Sequence, residues 1–362
     1  MKVLSVFGTR PEAVKMCPVV LELGKRPEID SVVCLTGQHR EQLDQVTQIF
    51  GVCADYDLNV MQPRQTPAMI TAAVLTGFDK LLTTLAPDVV LVHGDTTTAM
   101  SAALAAFYRQ IPVGHVEAGL RTFDLTSPFP EEFNRVVIDK VSAFHFAPTA
   151  QNRENLEREG FSDSIAVTGN TVIDAFAYTL GGSPPDREKL VLVTAHRREN
   201  LGRPLENICN AIKILAENHP DYSFVYPVHL NPAVRDTVFP ILDGLPNVKL
   251  LPPVDVVEMH GLMSRAFLVL SDSGGLQEEA AHFDVPVLVL RTETERPEAA
   301  EAGTVKVVGV NQNDIVREAQ RLFSDKAEYA RMAKAVNPYG DGHSSERIAD
   351  ILVSYAKSKQ SV

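Results

Sequence analysis

Short apolar runs recur along the chain, each followed by a longer stretch whose apolar positions repeat at helical spacing. In the first half the pattern predicts strands at 3–7, 31–36, 89–93, 112–116, 143–147 and 164–168. Helices are predicted between them, from Pro11 to about 24 and then at 40–50, 68–85, 99–109, 131–142 and 151–159, with a loop around 59–67. Pro11 suits a first helical turn because the missing N–H is not needed there, and Glu12 complements the positive end of the same helix. Residues 180–185, LGGSPP, read as a linker. The pattern then restarts, with strands at 190–194, 223–227, 248–251, 267–271, 285–290 and 305–308. Helices are predicted at 204–218, 233–242, 256–264, 275–282, 298–302, 313–323, 326–336 and, after the turn NPYGDG, 345–359. Such β–α alternation predicts parallel sheets covered by helices. Its restart after the linker predicts an α/β protein of two doubly wound domains, 1–180 and 186–340, facing across a ligand cleft.

The densest candidate chemistry lies in 89–135, VVLVHGDTTTAMSAALAAFYRQIPVGHVEAGLRTFDLTSPFPEEFNR. Two predicted strands each end in an acid, Asp95 and Glu117, and Glu131 follows a Pro-rich turn. Functional groups of open parallel sheets gather beyond the carboxyl ends of the strands. Asp95, Glu117 and Glu131, with His93 and His115, are therefore expected at one mouth and suggest acid–base chemistry. A plainer reading makes Asp95 the N-cap of a helix starting at Thr96; it leaves Glu117, ahead of Ala118-Gly119, unexplained.

Length and charge narrow the picture. A chain of 362 residues exceeds one ordinary domain. A net charge of −12 argues against a nucleic-acid or anionic-membrane binder, though not against a phosphorylated ligand in a local basic pocket. The start MKVLSVFGTRPEAVK does not read as a signal peptide, and no apolar segment is expected to reach spanning length. Cys17, Cys34, Cys53 and Cys209 form no C-x-x-C pair and read as reduced core residues of a cytoplasmic protein.

Neither a P-loop nor a G-x-G-x-x-G fingerprint is present. The candidate nucleotide pocket is LVLSDSGGLQEE at 268–279, a strand, two glycines and a helix start. The free N–H groups there would hold a phosphate oxygen, and Glu279 could accept from ribose hydroxyls. An ordinary glycine-rich turn is the alternative. Arg10, Lys15, Arg197, Arg198 and Arg296 are the basic groups available to phosphates.

Several long motifs resemble the non-hydrolysing bacterial UDP-N-acetylglucosamine 2-epimerases. They are FGTRPEAVKM (7–16), TGQHREQLDQV (36–46), LVHGDTTTAM (91–100), GHVEAGLRT (114–122), PFPEEFNR (128–135) and TGNTVIDA (168–175). AHRREN (195–200), YPVHLNP (226–232), SDSGGLQEEA (271–280), TERPEA (294–299) and NPYGDG (337–342) continue the match nearly end to end. The resemblance implies a GT-B-type fold of two Rossmann-like domains, the helix at 345–359 returning to the first. It implies interconversion of UDP-GlcNAc and UDP-ManNAc with no cofactor, neither metal nor nicotinamide, in a homodimer. Arg10, Lys15, Asp95, Glu117, Glu131 and His196 match the catalytic and diphosphate-contacting positions. Val254, Met259, Ser273, Gly274, Gly275, Glu279 and Arg296 match the nucleotide-binding ones. Gln38, His39, Arg64, Gln65, Glu131, Arg197 and His229 match a second, activating UDP-GlcNAc site.

The implied route eliminates UDP to give 2-acetamidoglucal and adds it back with a proton on the other face of C2. It would supply ManNAc nucleotide for surface polysaccharide. The carboxylates are then the acid–base groups, with Arg10, Lys15, His196 and the helix start at 273–275 facing the diphosphate. Alternatives are an epimerase of a diacetamido uronic acid nucleotide, a GT-B glycosyltransferase, a metal phosphoesterase built on His93 and Asp95, and a non-catalytic nucleotide-sugar sensor.

Overall fold

The apolar runs at 3–7, 89–93, 113–116, 190–194 and 268–271 are buried on both faces, as the inner strands of a parallel sheet require. The computed structural model describes residues 1–37, 40–60, 62, 65–181, 186–292 and 297–360. Contacts divide the chain into two units, Met1–Thr179 with Tyr339–Val362, and Leu180–Pro338.

The first unit alternates β1 (Lys2–Phe7), α1 (Arg10–Gly24), β2 (Asp30–Leu35), α2 (Arg40–Phe50), β3 (Tyr56–Asp57), α3 (Pro67–Leu85), β4 (Val89–His93) and α4 (Thr97–Tyr108). It continues with β5 (Val113–Val116), α5 (Glu131–Val141), β6 (Phe144–Ala147), α6 (Ala150–Arg158), β7 (Ile165–Val167) and α7 (Thr171–Thr179). The sheet runs β3-β2-β1-β4-β5-β6-β7, so strand order reverses between β1 and β4, the switch point at which such sheets bind ligands. Leu4, Val6, Val90 and Val92 meet Val74, Phe78, Ala102, Ala103 and Ala106 in the core. The small side chains of α4 let that helix lie close on the sheet.

The second unit holds β8 (Leu190–Thr194), a 3₁₀ turn (Arg198–Asn200), α8 (Arg203–Asn218), β9 (Ser223–Pro227), α9 (Pro232–Leu242), β10 (Val248–Leu251), α10 (Val256–Arg265) and β11 (Leu268–Ser271). Then come α11 (Gly274–His282), β12 (Val287–Val289), α12 (Pro297–Ala302), β13 (Val305–Val307), α13 (Gln312–Ser324) and α14 (Lys326–Ala333). Its sheet runs β10-β9-β8-β11-β12-β13, with the reversal between β8 and β11. In α8, Leu205, Ile208, Cys209, Ile212 and Leu215 are buried at helical spacing, which gives one apolar stripe against the sheet. The last helix, α15 (Ser344–Gln360), packs on α1 and α7 of the first unit.

The structure differs from the sequence reading at four places. β3 is two residues long, too short for a period to register. The helix α7 opens with the β-branched run Thr171-Val172-Ile173, which argues against helix locally. α3 is, by length and composition, apolar enough to span a membrane, contrary to expectation. Its Ile70, Val74, Phe78 and Leu82 nonetheless form one seam buried in the core of its unit. Cys53 is exposed, whereas Cys17, Cys34 and Cys209 are buried, and all are free thiols.

Candidate functional site

In the first unit the candidate groups come from three neighbouring strand ends. After β1, Thr9 caps α1 in a capping box with Glu12, and Pro11 fills the first turn. Glu12 does more than complement the helix dipole. Its Oε2 accepts from Gly8 N at 2.9 Å and Thr9 N at 2.8 Å, and its Oε1 accepts from Thr96 Oγ1 at 2.7 Å. One buried carboxylate thus ties the loop after β1 to the loop after β4. Burial raises its pKa, against the lowering by those hydrogen bonds. Lys15, a turn further along α1, is buried and pairs with Glu117.

After β4, Thr96 caps α4 by accepting from Ala99 N, so Asp95 is not the N-cap of this helix. The Asp95 carboxylate instead accepts from Arg135 Nη2 at 2.5 Å, and Asn134 Nδ2 donates to its main-chain oxygen at 2.8 Å. Both donors lie in the first turns of α5, the helix that Glu131 opens. Glu132 next to it is fully buried and accepts from the N–H groups of Thr122 and Phe123, so the neighbouring acids differ in role.

After β5, Glu117 adopts φ +71°, uncommon for a residue with a Cβ and costing about 1–3 kcal/mol. The N–H groups of Glu117 and Ala118 both donate to Phe146 O at 3.1 Å, which fixes the turn. The carboxylate meets Lys15, Asn170 Nδ2 at 3.5 Å and His93 Nε2 at 3.8 Å. His93 is buried and its pKa is pushed down to about 3 by burial, with Glu117 opposing and Lys15 and His115 reinforcing the shift. It is therefore a neutral ring.

His115 does not reach the mouth, contrary to expectation. It is fully buried, with Nδ1 2.5 Å from Asp139 Oδ1 and Nε2 2.7 Å from Gly94 O. Burial would raise the Asp139 pKa, but His115 and Arg121 hold it at about 2. Arg121 reaches Asp139 Oδ2 at 2.7 Å and Glu159 Oε1 at 2.7 Å. This network supports the Gly94 carbonyl immediately before Asp95. Gly94 itself has φ +62° and lies where a Cβ would come within 3.3 Å of Glu117 Oε2.

In the second unit the candidate groups also lie at the switch point. His196 follows β8, exposed, its ring stacked on His229 with centroids 5.3 Å apart. The ring's partial burial lowers its pKa, against the raising effect of Asp272. Asp272, fully buried after β11, accepts from His196 N and Arg197 N at 2.8 Å each and from Asn200 Nδ2 at 3.0 Å. Ser273 is the N-cap of α11 but makes no side-chain cap hydrogen bond, so its hydroxyl is not spent on the helix. Glu279 lies one turn into α11 with Oε2 3.4 Å from the buried His260. Val254 is buried and Met259 half-buried in the stretch leading into and along α10.

Of the residues expected at a second, activating site, Gln65 donates to Val60 O at 2.5 Å, His229 is exposed and Arg197 half-buried. Gln38, His39 and Arg64 lie outside the described residues, as does Arg296 of the nucleotide set. Arg10 is half-buried at the start of α1. Sequence reasoning missed Asn134, Arg135, Asn170 and Asp272. The Thr9-x-x-Glu12 spacing and the Glu131-to-Arg135 helical step were readable signals; the buried network of Asp139 left none. Among the described residues no group of three or more His, Cys, Asp or Glu is arranged to hold a metal ion.

Two parallel-sheet units with polar groups at each switch point make this a GT-B-type α/β protein. The kitacinnamycin glycotransferase, 14% identical with a TM-score of 0.64 over 98% of each chain, shares the fold alone. Closer likenesses narrow the class. A family model described as UDP-N-acetylglucosamine 2-epimerase matches residues 21–353. The UDP-N-acetylglucosamine 2-epimerase of Escherichia coli K12 is 51% identical over 97% of this chain and 98% of its own. The UDP-GlcNAc 2-epimerase of Neisseria meningitidis, solved bound to UDP-GlcNAc, is 48% identical with a TM-score of 0.91, over 98% of this chain and 100% of that one. The chain belongs to the UDP-N-acetylglucosamine 2-epimerase family, and by class it is an isomerase.

Proposed function

We propose that the protein interconverts UDP-GlcNAc and UDP-ManNAc by inverting C2 of the sugar. The observation that carries this reading is the Glu117 carboxylate, held at positive φ between Lys15, Asn170 and His93 at a switch point.

The chemistry explains why a site of this kind suits the task. The C2 proton of an N-acetylhexosamine is not adjacent to a carbonyl carbon, so removing it alone is costly. Coupling its removal to departure of UDP from C1 gives 2-acetamidoglucal, and re-addition delivers a proton to the opposite face. Asp95, Glu117 and Glu131 supply the acid–base groups. Arg10, Lys15, His196 and the start of α11 balance the departing diphosphate, Gly274 and Gly275 offering main-chain N–H groups there and Ser273, whose N–H is taken by Ser271 Oγ, its hydroxyl. Glu279 holds the ribose, Val254 and Met259 flank the base, and Arg296 completes the nucleotide set. The product serves as ManNAc donor for surface polysaccharide.

Two further features belong to this reading. UDP-GlcNAc at a second site, with Gln38, His39, Arg64, Gln65, Glu131, Arg197 and His229, makes the kinetics cooperative. The protein works as a homodimer, for which the exposed Met69, Phe107 and Tyr108 of α3 and α4 provide apolar surface. Sedimentation showing only monomer at micromolar concentration removes the dimer.

Proton NMR of the protein with UDP-GlcNAc in deuterated water tests the central claim. UDP-ManNAc carrying deuterium at C2 is expected. Unchanged UDP-GlcNAc overturns it and favours a modified-sugar epimerase or a transferase.

A further inference from the structure

Asp272 is built asymmetrically. It follows β11, which pairs with β8 so that Ser271 lies opposite Thr194. Its own N–H donates to Thr194 O at 3.0 Å, locking the two strand ends together. The carboxylate is fully buried. Oδ2 accepts all three hydrogen bonds, from His196 N, Arg197 N and Asn200 Nδ2. Oδ1 is buried and has no hydrogen-bond partner among the described residues. His196 Nδ1 lies 3.8 Å from it.

A buried carboxylate oxygen left bare is costly, because its desolvation is not repaid by a hydrogen bond. Holding the turn at 196–200 requires only Oδ2. The cost at Oδ1 is recovered when an N–H closes on it, and an imidazole 3.8 Å away needs a shift of under 1 Å to do so. Which nitrogen of a histidine carries the proton is set by the partner of the other nitrogen.

We propose that Asp272 is the positioning residue of His196. Its Oδ1 takes the Nδ1–H of His196, which fixes that tautomer and leaves Nε2 as the ring's second proton site for a diphosphate oxygen. This role rests on the epimerase reading above. The other charged or titratable groups acting on His196 are His229, Arg197 and Glu199. His229 and Arg197 disfavour an imidazolium, whereas Asp272 and Glu199 favour it. Burial also disfavours the imidazolium, and an arriving diphosphate adds to the second pair, so the ligand favours a proton at Nε2.

The isosteric change D272N separates positioning from scaffolding. An asparagine oxygen can keep the three bonds of Oδ2, while its NH₂ replaces Oδ1 and donates to His196 Nδ1. That forces the proton to Nε2. In ¹⁵N-histidine-labelled protein, ring NMR at neutral pH is expected to show the Nδ1–H tautomer of His196 in the wild type and Nε2–H in D272N. A wild-type Nε2–H tautomer overturns the proposal, and this reading needs neither the variant nor turnover. With UDP-GlcNAc, D272N is expected to lose about 10- to 100-fold in kcat, with KM within about threefold and an unchanged melting temperature. Wild-type kcat in D272N, or a loss tracking a lowered melting temperature, overturns it as well. A wild type that forms no UDP-ManNAc sinks the epimerase reading instead, and the tautomer still decides the place of Asp272.

Discussion

Asp139→Asn is the sharpest perturbation of the first unit, because it leaves shape almost intact and removes one buried charge. Asp139 bonds His115 Nδ1 at 2.5 Å and Arg121 Nη2 at 2.7 Å, and neither Asp139 nor Arg121 exposes side-chain surface. An asparagine can keep both contacts only by accepting from Arg121 and donating to His115 Nδ1, and it leaves the buried guanidinium without one of its two carboxylate charges. Breaking a buried pair in this way costs about 3–5 kcal/mol. Arg121 keeps Glu159, so the low end applies, about 3 kcal/mol. For a unit of this size each kcal/mol moves the melting temperature by about 2–4 °C, which predicts a drop of about 6–12 °C at pH 7. The pH dependence carries a sign. The folded pKa of Asp139, about 2, lies below its ordinary 3.8, so its contribution is complete at neutral pH. That contribution is lost as pH falls from about 4 through 2, and D139N should lack this limb. Calorimetric melting at pH 7 and in an acid series measures both. Turnover of UDP-GlcNAc at 25 °C should also fall, because His115 supports Gly94 O, the carbonyl preceding Asp95. A variant that melts within about 1 °C of the wild type, with the same acid limb, refutes the assignment of this network.

Three further outcomes follow from the same geometry. His93 stays neutral in the fold, with a pKa of about 3, whereas an unfolded histidine titrates near 6.5. Acid therefore favours the unfolded chain from pH 6.5 downward, by about 2–3 kcal/mol at pH 4.5, and H93F should flatten denaturation curves over that window; an unchanged slope counts against it. E117Q should lower kcat in the deuterium-exchange assay by about 10²- to 10⁴-fold with UDP affinity within about threefold, and retained exchange would remove Glu117 from the acid–base set. G119A should impair folding, because a Cβ would lie 2.3 Å from Asn152 O at φ +83°. The control G244A, at φ +81° with open space around it, should cost only about 1–2 kcal/mol, and equal melting losses in the two would dispose of the steric account.

The β–α alternation was legible because parallel strands buried on both faces write themselves as plain apolar runs, and α8 as a stripe of period 3.6. Asp95 and Glu117 were legible for a related reason: each stands where an apolar run stops, and a strand end in an open sheet is a functional address. His115 shows where this logic stops. It sits inside β5, and only the tertiary position of Asp139, 24 residues on, makes it a support rather than a site group. The capping of α4 by Thr96 instead of Asp95 is another such case. Both residues suit the cap chemically, and the choice is made by Arg135, which draws the Asp95 carboxylate towards α5.

Both units use the same device at the switch point. A buried carboxylate spends one or both oxygens on the turns that carry the candidate groups: Glu12 across the loops after β1 and β4, Asp139 through His115 on the turn before Asp95, and Asp272 on the turn beginning at His196. Burying an acid is expensive, so this is a poor way to gain stability and a good way to fix main-chain direction. The contrast lies in what remains. Glu12 has its oxygens filled by Gly8, Thr9 and Thr96, and Asp139 has both filled by donors. Asp272 leaves one oxygen without a hydrogen-bond partner among the described residues, beside an imidazole. A carboxylate whose bonds are complete is finished as a scaffold. One with a bare oxygen still has a donor to choose, and that is why, of the three, Asp272 is the one whose replacement by its amide should change a proton's place rather than a turn's shape.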